Sequence, residues 1–208
     1  MSDWIDLTVL IKKTNLIFPG DEQLEITKVK SLSEDGYNLN QLYLNMHLGT
    51  HVDFKNHVSV KEEEIDFNDF LGKANVIRPK IIDSVVSTED LRTKYEALIY
   101  KERILLLDLH HASKFNTKAY YEPIYFEPSI YQFLREYNIN LLGADLPTFI
   151  YKNDPDLKMH RECLKNGIRL IENLTNLNQL TSHIYFLGLP LSIEGIEASL
   201  IRAVAKNI

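Results

Sequence analysis

The sequence predicts a mixed α/β fold in one domain over residues 1–208. Three observations carry this. Short apolar runs of strand length recur along the chain, and segments with helix signals fall between them. One stretch, residues 139–172, reads strand, helix, strand in order, which implies a crossover and a parallel pair. The chain is long enough to bury a sizeable core, with 208 residues, 45% of them hydrophobic and 25% charged.

The elements follow in order. Trp4 to Ile11 reads as a strand, and Phe18-Pro19-Gly20-Asp21 as a turn punctuated by Pro and Gly. Ala74 to Ile82 and Arg103 to Leu109 are apolar runs of buried-strand character. Ser87-Thr88-Glu89-Asp90 opens a helix, with Ser87 or Thr88 as its cap before Leu91 to Tyr95. Ile139 to Ala144 is a strand. Asp154 is expected to cap a helix that begins at Pro155, passes through Cys163 and stops at Gly167. Ile168 to Glu172 and Ile184 to Leu187 are further strands. Ile196, Leu200, Ala203 and Val204 fall at helical spacing, so 196–206 is expected to be helical. The run Lys61-Glu62-Glu63-Glu64 reads as a solvated loop or helix start.

Composition narrows the function classes. The net charge of −6 argues against a nucleic-acid backbone as the main partner. The N-terminus lacks the basic and apolar regions of a signal peptide, and no run approaches the ~20 apolar residues of a membrane helix. The lone cysteine, Cys163, forms no internal disulfide, which fits a cytoplasmic location, and it reads as a core residue. The 11 tyrosines and 9 phenylalanines suit an aromatic pocket or, more commonly, the core.

Residues 42–53 carry the chemistry. Leu42, Leu44, Met46, Leu48 and Val52 alternate with Tyr43, Asn45, His47, Gly49, His51 and Asp53. Such alternation marks a strand with one oily face and one polar face. A helix would also bring His47 and His51 together, but it would turn Asp53 away and would have to absorb Gly49-Thr50. In a straight strand the two histidines stand roughly 13 Å apart, at ~3.3 Å per residue. The sequence therefore predicts a bulge or bend at Gly49. Neutral imidazoles and a carboxylate gathered there suit zinc or manganese. The alternative is a polar sheet face lined by histidines. His57 follows Asp53 closely and strengthens the metal reading.

His160 lies on the expected helix, and Glu172 shares a strand face with Ile168 and Leu170. A carboxylate on an aliphatic face needs a partner. A metal, a salt bridge to Arg202 and a helix-cap hydrogen bond are the open choices. Phe54 and Lys55 are candidate substrate contacts, although lysine is mostly a solvated surface residue. His110-His111 reads as structural rather than as part of a pocket.

Together these residues resemble the cyclase-type metal hydrolases, the family of bacterial kynurenine formamidase and isatin hydrolase. The likeness rests on five segments in order. They are Asp6-Leu7-Thr8 with Phe18-Pro19-Gly20-Asp21; His47-Leu48-Gly49-Thr50-His51-Val52-Asp53 with His57; Leu142-Gly143-Ala144-Asp145; His160 through Glu172-Asn173-Leu174 and Asn176-Leu177; and Pro190-Leu191 with Arg202-Ala203-Val204-Ala205. The resemblance implies a compact β/β/α fold in homo-oligomers, a homodimer or homotetramer, acting on a small molecule. It also implies one or two divalent ions, Zn²⁺ or Mn²⁺. Positions His47, His51 and Asp53 would hold the first ion, and Asp53, His160 and Glu172 the second, with His57 as acid/base. The implied reaction is cleavage of a C–N bond in an N-formyl aryl amine or cyclic amide. Lactone or ester hydrolysis, cyclisation, or metal binding without catalysis are the alternatives. The chain departs from the family pattern at Phe54-Lys55, at Leu107 to His111 and at Ala198-Ser199-Leu200.

Overall fold

The computed structural model describes residues 3–60, 64–154 and 156–208. Among them, nine strands form one sheet. In spatial order these are β1 (Ile5–Asp6), β15 (Val204–Asn207), β13 (His183–Leu187), β5 (Leu71–Ile77), β8 (Ile104–Leu107), β10 (Leu141–Ala144), β12 (Arg169–Glu172), β4 (His51–Asp53) and β14 (Ala198–Leu200). The central four, β5, β8, β10 and β12, run parallel to one another. Strand β4 joins them antiparallel through β12, and β14 pairs antiparallel with β4. Every residue of β8, β10 and β12 is buried. Continuous apolar runs such as Ile104–Leu107 are what a parallel sheet covered on both faces requires.

Helices α2 (Thr88–Glu96), α3 (Ser129–Glu136) and α4 (Lys158–Lys165) follow the short α1 (Leu32–Asp35). Leu91, Phe133 and Cys163, one from each longer helix, join Leu105, Leu142 and Leu170 of the sheet in one core. The opposite sheet face buries a second core, with Phe54, Phe70, Leu106, Ile171 and Phe186. A small sheet of β11 (Ile150–Tyr151), β9 (Tyr125–Phe126), β7 (Val85–Val86) and β6 (Ile81–Ile82) lies apart, as does a hairpin of β2 (Glu25–Lys30) and β3 (Leu39–Tyr43).

Most expected elements are present. The expected parallel pair is β10 with β12, joined through α4. Ser87 caps α2, its hydroxyl accepting from the Asp90 N–H. The turn at 18–21 closes with the Asp21 N–H donating to the Phe18 carbonyl.

Four expectations are corrected. The strand at 4–11 is reduced to Ile5–Asp6 and a bridge from Thr8 to Leu174. The run 74–82 breaks after Ile77, where the chain leaves the sheet before β6. Residues 196–206 are not helical: they form β14 and β15, because their apolar side chains enter a sheet core (Ala203 and Ala205 are fully buried). Helix α4 begins at Lys158 rather than at residue 155, which lies outside the described residues. Asp154 still serves its start, its carboxylate accepting from the N–H groups of Lys158 and Met159. Of the charge run, residues 61–63 also lie outside the described residues, and Glu64 is exposed.

Candidate metal centre

The segment 42–53 is two pieces, not one strand. Its first part ends in the β2–β3 hairpin, where Leu42 is exposed, so the expected oily face does not hold there. Its last part is β4, inside the large sheet. Between them the chain turns, and Gly49 adopts φ +73°. A Cβ at that position would stand 2.9 Å from the Ile11 side chain, so both the conformation and the space require glycine. The expected bend is therefore present. It brings the His47 and His51 rings to 4.9 Å between centroids, with His47 Nδ1 3.1 Å from His51 Nε2.

Neighbouring elements complete the cluster. Alternation on β4 turns His51 and Asp53 to the same face. Glu172 closes β12 opposite His51. Helix α4 delivers His160, and a short 3₁₀ turn at Lys55–His57 delivers His57. His47 Nδ1 and His51 Nε2 lie 3.2 and 3.3 Å from Asp53 Oδ1, and His160 Nε2 lies 3.5 Å from Oδ2. Glu172 Oε1 is 3.1 Å from His160 Nε2, and its Oε2 is 3.5 Å from His51 Nε2. The His57 ring packs 4.6 Å from His47 and 5.8 Å from His160.

The cluster fits a divalent cation on its own chemistry. Asp53 is buried, yet neither carboxylate oxygen has a hydrogen-bond partner; the nearby imidazoles stand out of line for one. Burying a carboxylate in that state is costly unless a cation meets it. Two sets of donor atoms lie within 4.8 Å of one another: His47, Asp53 and His57, and His51, Asp53 and Glu172. Imidazole with carboxylate is the donor set that zinc and manganese accept.

Charge in the metal-free cluster is strongly coupled. Burial opposes ionisation of Asp53, but the close imidazoles of His47 and His51 hold its carboxyl far below the usual range. Burial likewise disfavours a charged His51, but Asp53 and Glu172 push it up to about 9. His160 is raised against its own burial by Glu172. His57 goes the other way: burial, then the charges of His47 and His160, outweigh Asp53 and leave it below the ordinary imidazole value.

Glu172 does not pair with Arg202, which instead binds Asp6 with Nη2 2.6 Å from Oδ2. Nor does it cap a helix: Oε1 accepts from the Phe149 N–H in a loop. Phe54 lies outside the cavity, contrary to expectation. Asp53 faces the cluster, so the next residue faces the opposite core, where Phe54 packs edge-on against Phe70. Lys55 is also not among the described residues that line the cavity. His111 is buried and structural, with Nε2 2.8 Å from the Tyr120 carbonyl.

A cavity of about 300 Å³ opens onto the cluster. Its apolar wall includes Ile11, Leu16, Phe18, Leu48, Phe115 and Tyr121. Sequence reading missed most of this wall, because its residues come from separate loops with no shared spacing. It also missed Glu197, whose Oε1 lies 3.5 Å from His47 Nε2.

The chain is similar to known proteins in both sequence and fold. The chain is 28% identical over 211 residues to a kynurenine formamidase of Bacillus thuringiensis (strain Al Hakam), covering 100% of this chain and 99% of the relative. Its fold is similar to that of isatin hydrolase A from Labrenzia aggregata bound to benzyl benzoate, with a TM-score of 0.83, 19% identity, and 97% and 92% of the two chains covered. It is also similar to a "predicted metal-dependent hydrolase" from Bacillus stearothermophilus, with a TM-score of 0.80, 18% identity and 97% of both chains covered. A family model described as "Putative cyclase" matches residues 5–149, more than half of the sequence, and the chain belongs to this cyclase family.

Proposed function

We propose that this protein is a metal-dependent hydrolase that cleaves a C–N amide bond in a small molecule, an N-formyl aryl amine or a cyclic amide. The observation that carries this reading is the buried Asp53 carboxylate, without a hydrogen-bond partner, at the meeting point of three imidazoles and Glu172. The kynurenine formamidase and isatin hydrolase relatives support it.

His47, His51, Asp53, His160 and Glu172 would hold one or two ions, Zn²⁺ or Mn²⁺. Such an ion supplies Lewis acidity and lets water ionise near neutral pH. His57 supplies the proton transfer. Its lowered pKa leaves the imidazole neutral at neutral pH, ready to accept a proton from water and pass it to the leaving amine. The apolar wall with Phe18, Phe115 and Tyr121 orients a flat substrate and keeps bulk water off the reacting carbonyl.

Residues 1–208 act as one hydrolase domain, supported by the end-to-end match to the formamidase. We further propose a homodimer or homotetramer. The hairpin β2–β3 supports this, because Val29, Leu39, Leu42 and Tyr43 are exposed on a two-stranded ribbon, a form marginally stable alone. We place the protein in the cytoplasm, where a free thiol such as Cys163 stays reduced. Among the described residues no helix is long and apolar enough to cross a membrane.

The test is a panel of formylated aryl amines, cyclic imides and lactones, assayed with Zn²⁺ or Mn²⁺. Turnover of the first two classes supports amide hydrolysis. Turnover of lactones alone reassigns the bond. Stoichiometric metal with no turnover of any member rejects the catalytic reading.

A further inference from the structure

Asn173 directly follows Glu172 and makes four hydrogen bonds, two through its backbone and two through its side chain. Its backbone sits in the left-handed region at φ +58°. Its N–H donates to the Leu146 carbonyl at 2.8 Å, and its carbonyl accepts from the Thr50 hydroxyl at 2.6 Å. Its side-chain Nδ2 donates to the Gly49 carbonyl at 2.9 Å, and its Oδ1 accepts from the Tyr120 hydroxyl at 2.9 Å. Those two partners fix which way the amide points, since a carbonyl needs a donor and a hydroxyl can supply one.

The Gly49 carbonyl has a second neighbour, His51 Nδ1, at 2.9 Å. A carbonyl accepts only, so His51 must carry its proton on Nδ1 to bond there. That turns Nε2 towards Asp53, Glu172 and His47, where it can offer its lone pair to a bound ion. The carbonyl itself belongs to a glycine in a left-handed turn, with no regular ladder to hold it. Asn173 supplies the missing restraint.

Resting on the metal reading above, we propose that Asn173 is a positioning residue for the metal centre. Through the shared Gly49 carbonyl it fixes the tautomer and the aim of His51, and Tyr120 fixes Asn173. It thereby couples the two ligand strands, since the residue after Glu172 holds the residue two before His51. Partners of this kind typically change metal affinity about 10–100-fold when removed.

Zinc binding by competition with a chromogenic chelator tests this without substrate. Asn173→Gly keeps the left-handed backbone free of strain and removes the side chain alone. Asn173→Asp keeps the shape but sets an acceptor against the Gly49 carbonyl. Tyr120→Phe removes one hydroxyl. We expect all three to fold, and the two Asn173 variants to bind zinc about 10–100-fold more weakly, with Tyr120→Phe in the same direction but smaller. In ¹⁵N-detected imidazole spectra of the zinc-loaded proteins, His51 should carry its proton on Nδ1 in the wild type and show a mixture of the two ring nitrogens in Asn173→Gly. Wild-type zinc affinity and an unchanged His51 tautomer in both Asn173 variants would overturn the proposal while leaving the metal reading intact. Failure of the wild type to take up zinc or manganese would overturn both. Should Asn173→Asp fail to fold, Asn173→Gly and Tyr120→Phe still decide the matter.

Discussion

Glu172 stands directly opposite His51 across the antiparallel β12–β4 ladder, and Leu170 stands opposite Asp53. This register places one carboxylate beside one imidazole from residues far apart in sequence. A slip of one residue would turn His51 and Asp53 to the opposite face of the sheet. The placement of His51 and Asp53 beside Glu172 therefore depends on one strand pairing.

Metal removal should cost both stability and activity. A ligand bound only to the folded state adds about 4 kcal/mol at a thousand-fold excess over Kd. Dialysis against a chelator should lower the thermal midpoint by several degrees, and Zn²⁺ or Mn²⁺ should restore it. An unchanged midpoint on calorimetry, with no bound metal at the start, would contradict the site.

His57→Ala should retain metal and lose turnover by about 10²–10⁴-fold, the usual range for a positioned acid/base. Because His57 lies below its ordinary value of 6.5, the acid limb of the wild-type kcat/KM profile should fall below pH 6.5. The donor set His47, Asp53 and His57 makes a different outcome informative. Metal lost together with activity would mark His57 as a ligand rather than a base.

Gly143→Ala should destabilise the sheet centre. A Cβ there would stand 2.7 Å from Leu106 Cδ2 and 2.9 Å from Leu174 Cδ1, both in a fully packed core. Overpacking of this kind costs about 1–3 kcal/mol. Urea unfolding would read it directly, and an unchanged midpoint would show that the leucines repack freely.

Cys163 should be silent towards thiol reagents at pH 8 until the chain unfolds. Burial, and then the charge of Glu162, push its thiol from 9.0 up to about 12. Below pH 9 folded and unfolded chains both keep the proton. Between 9 and 12 the unfolded chain ionises first, so the stability advantage of the wild type over Cys163→Ala should shrink, by at most ~1.4 kcal/mol per pH unit. Equal labelling of native and denatured protein would refute the burial.

The strand-forming apolar runs and the metal-binding residue types were legible because they are local properties. Leu105 to Leu107 are apolar in sequence whatever they pack against, and the Gly49 bend follows from the reach of a chain between two histidines. The capping of α2 by Ser87 is equally local. Residues 196–206 show the limit: the apolar spacing of Ile196, Leu200 and Ala203 suits a helix, but pairing with β4 and β13 makes strands of them. Phe54 shows it again, since which face a side chain takes depends on the sheet it joins.

Read alone, then, the chain specified the kinds of donor atom it carries, a mixed fold, and the place where the backbone must bend. Three-dimensional packing chose everything that depends on contacts between distant segments. It set Glu172 against His51, gave Arg202 to Asp6 instead of Glu172, and placed Asn173 on the Gly49 carbonyl. The reason is that hydrogen bonds and buried charges are satisfied by whichever partner the fold brings within about 3 Å, and a linear sequence holds no record of that distance.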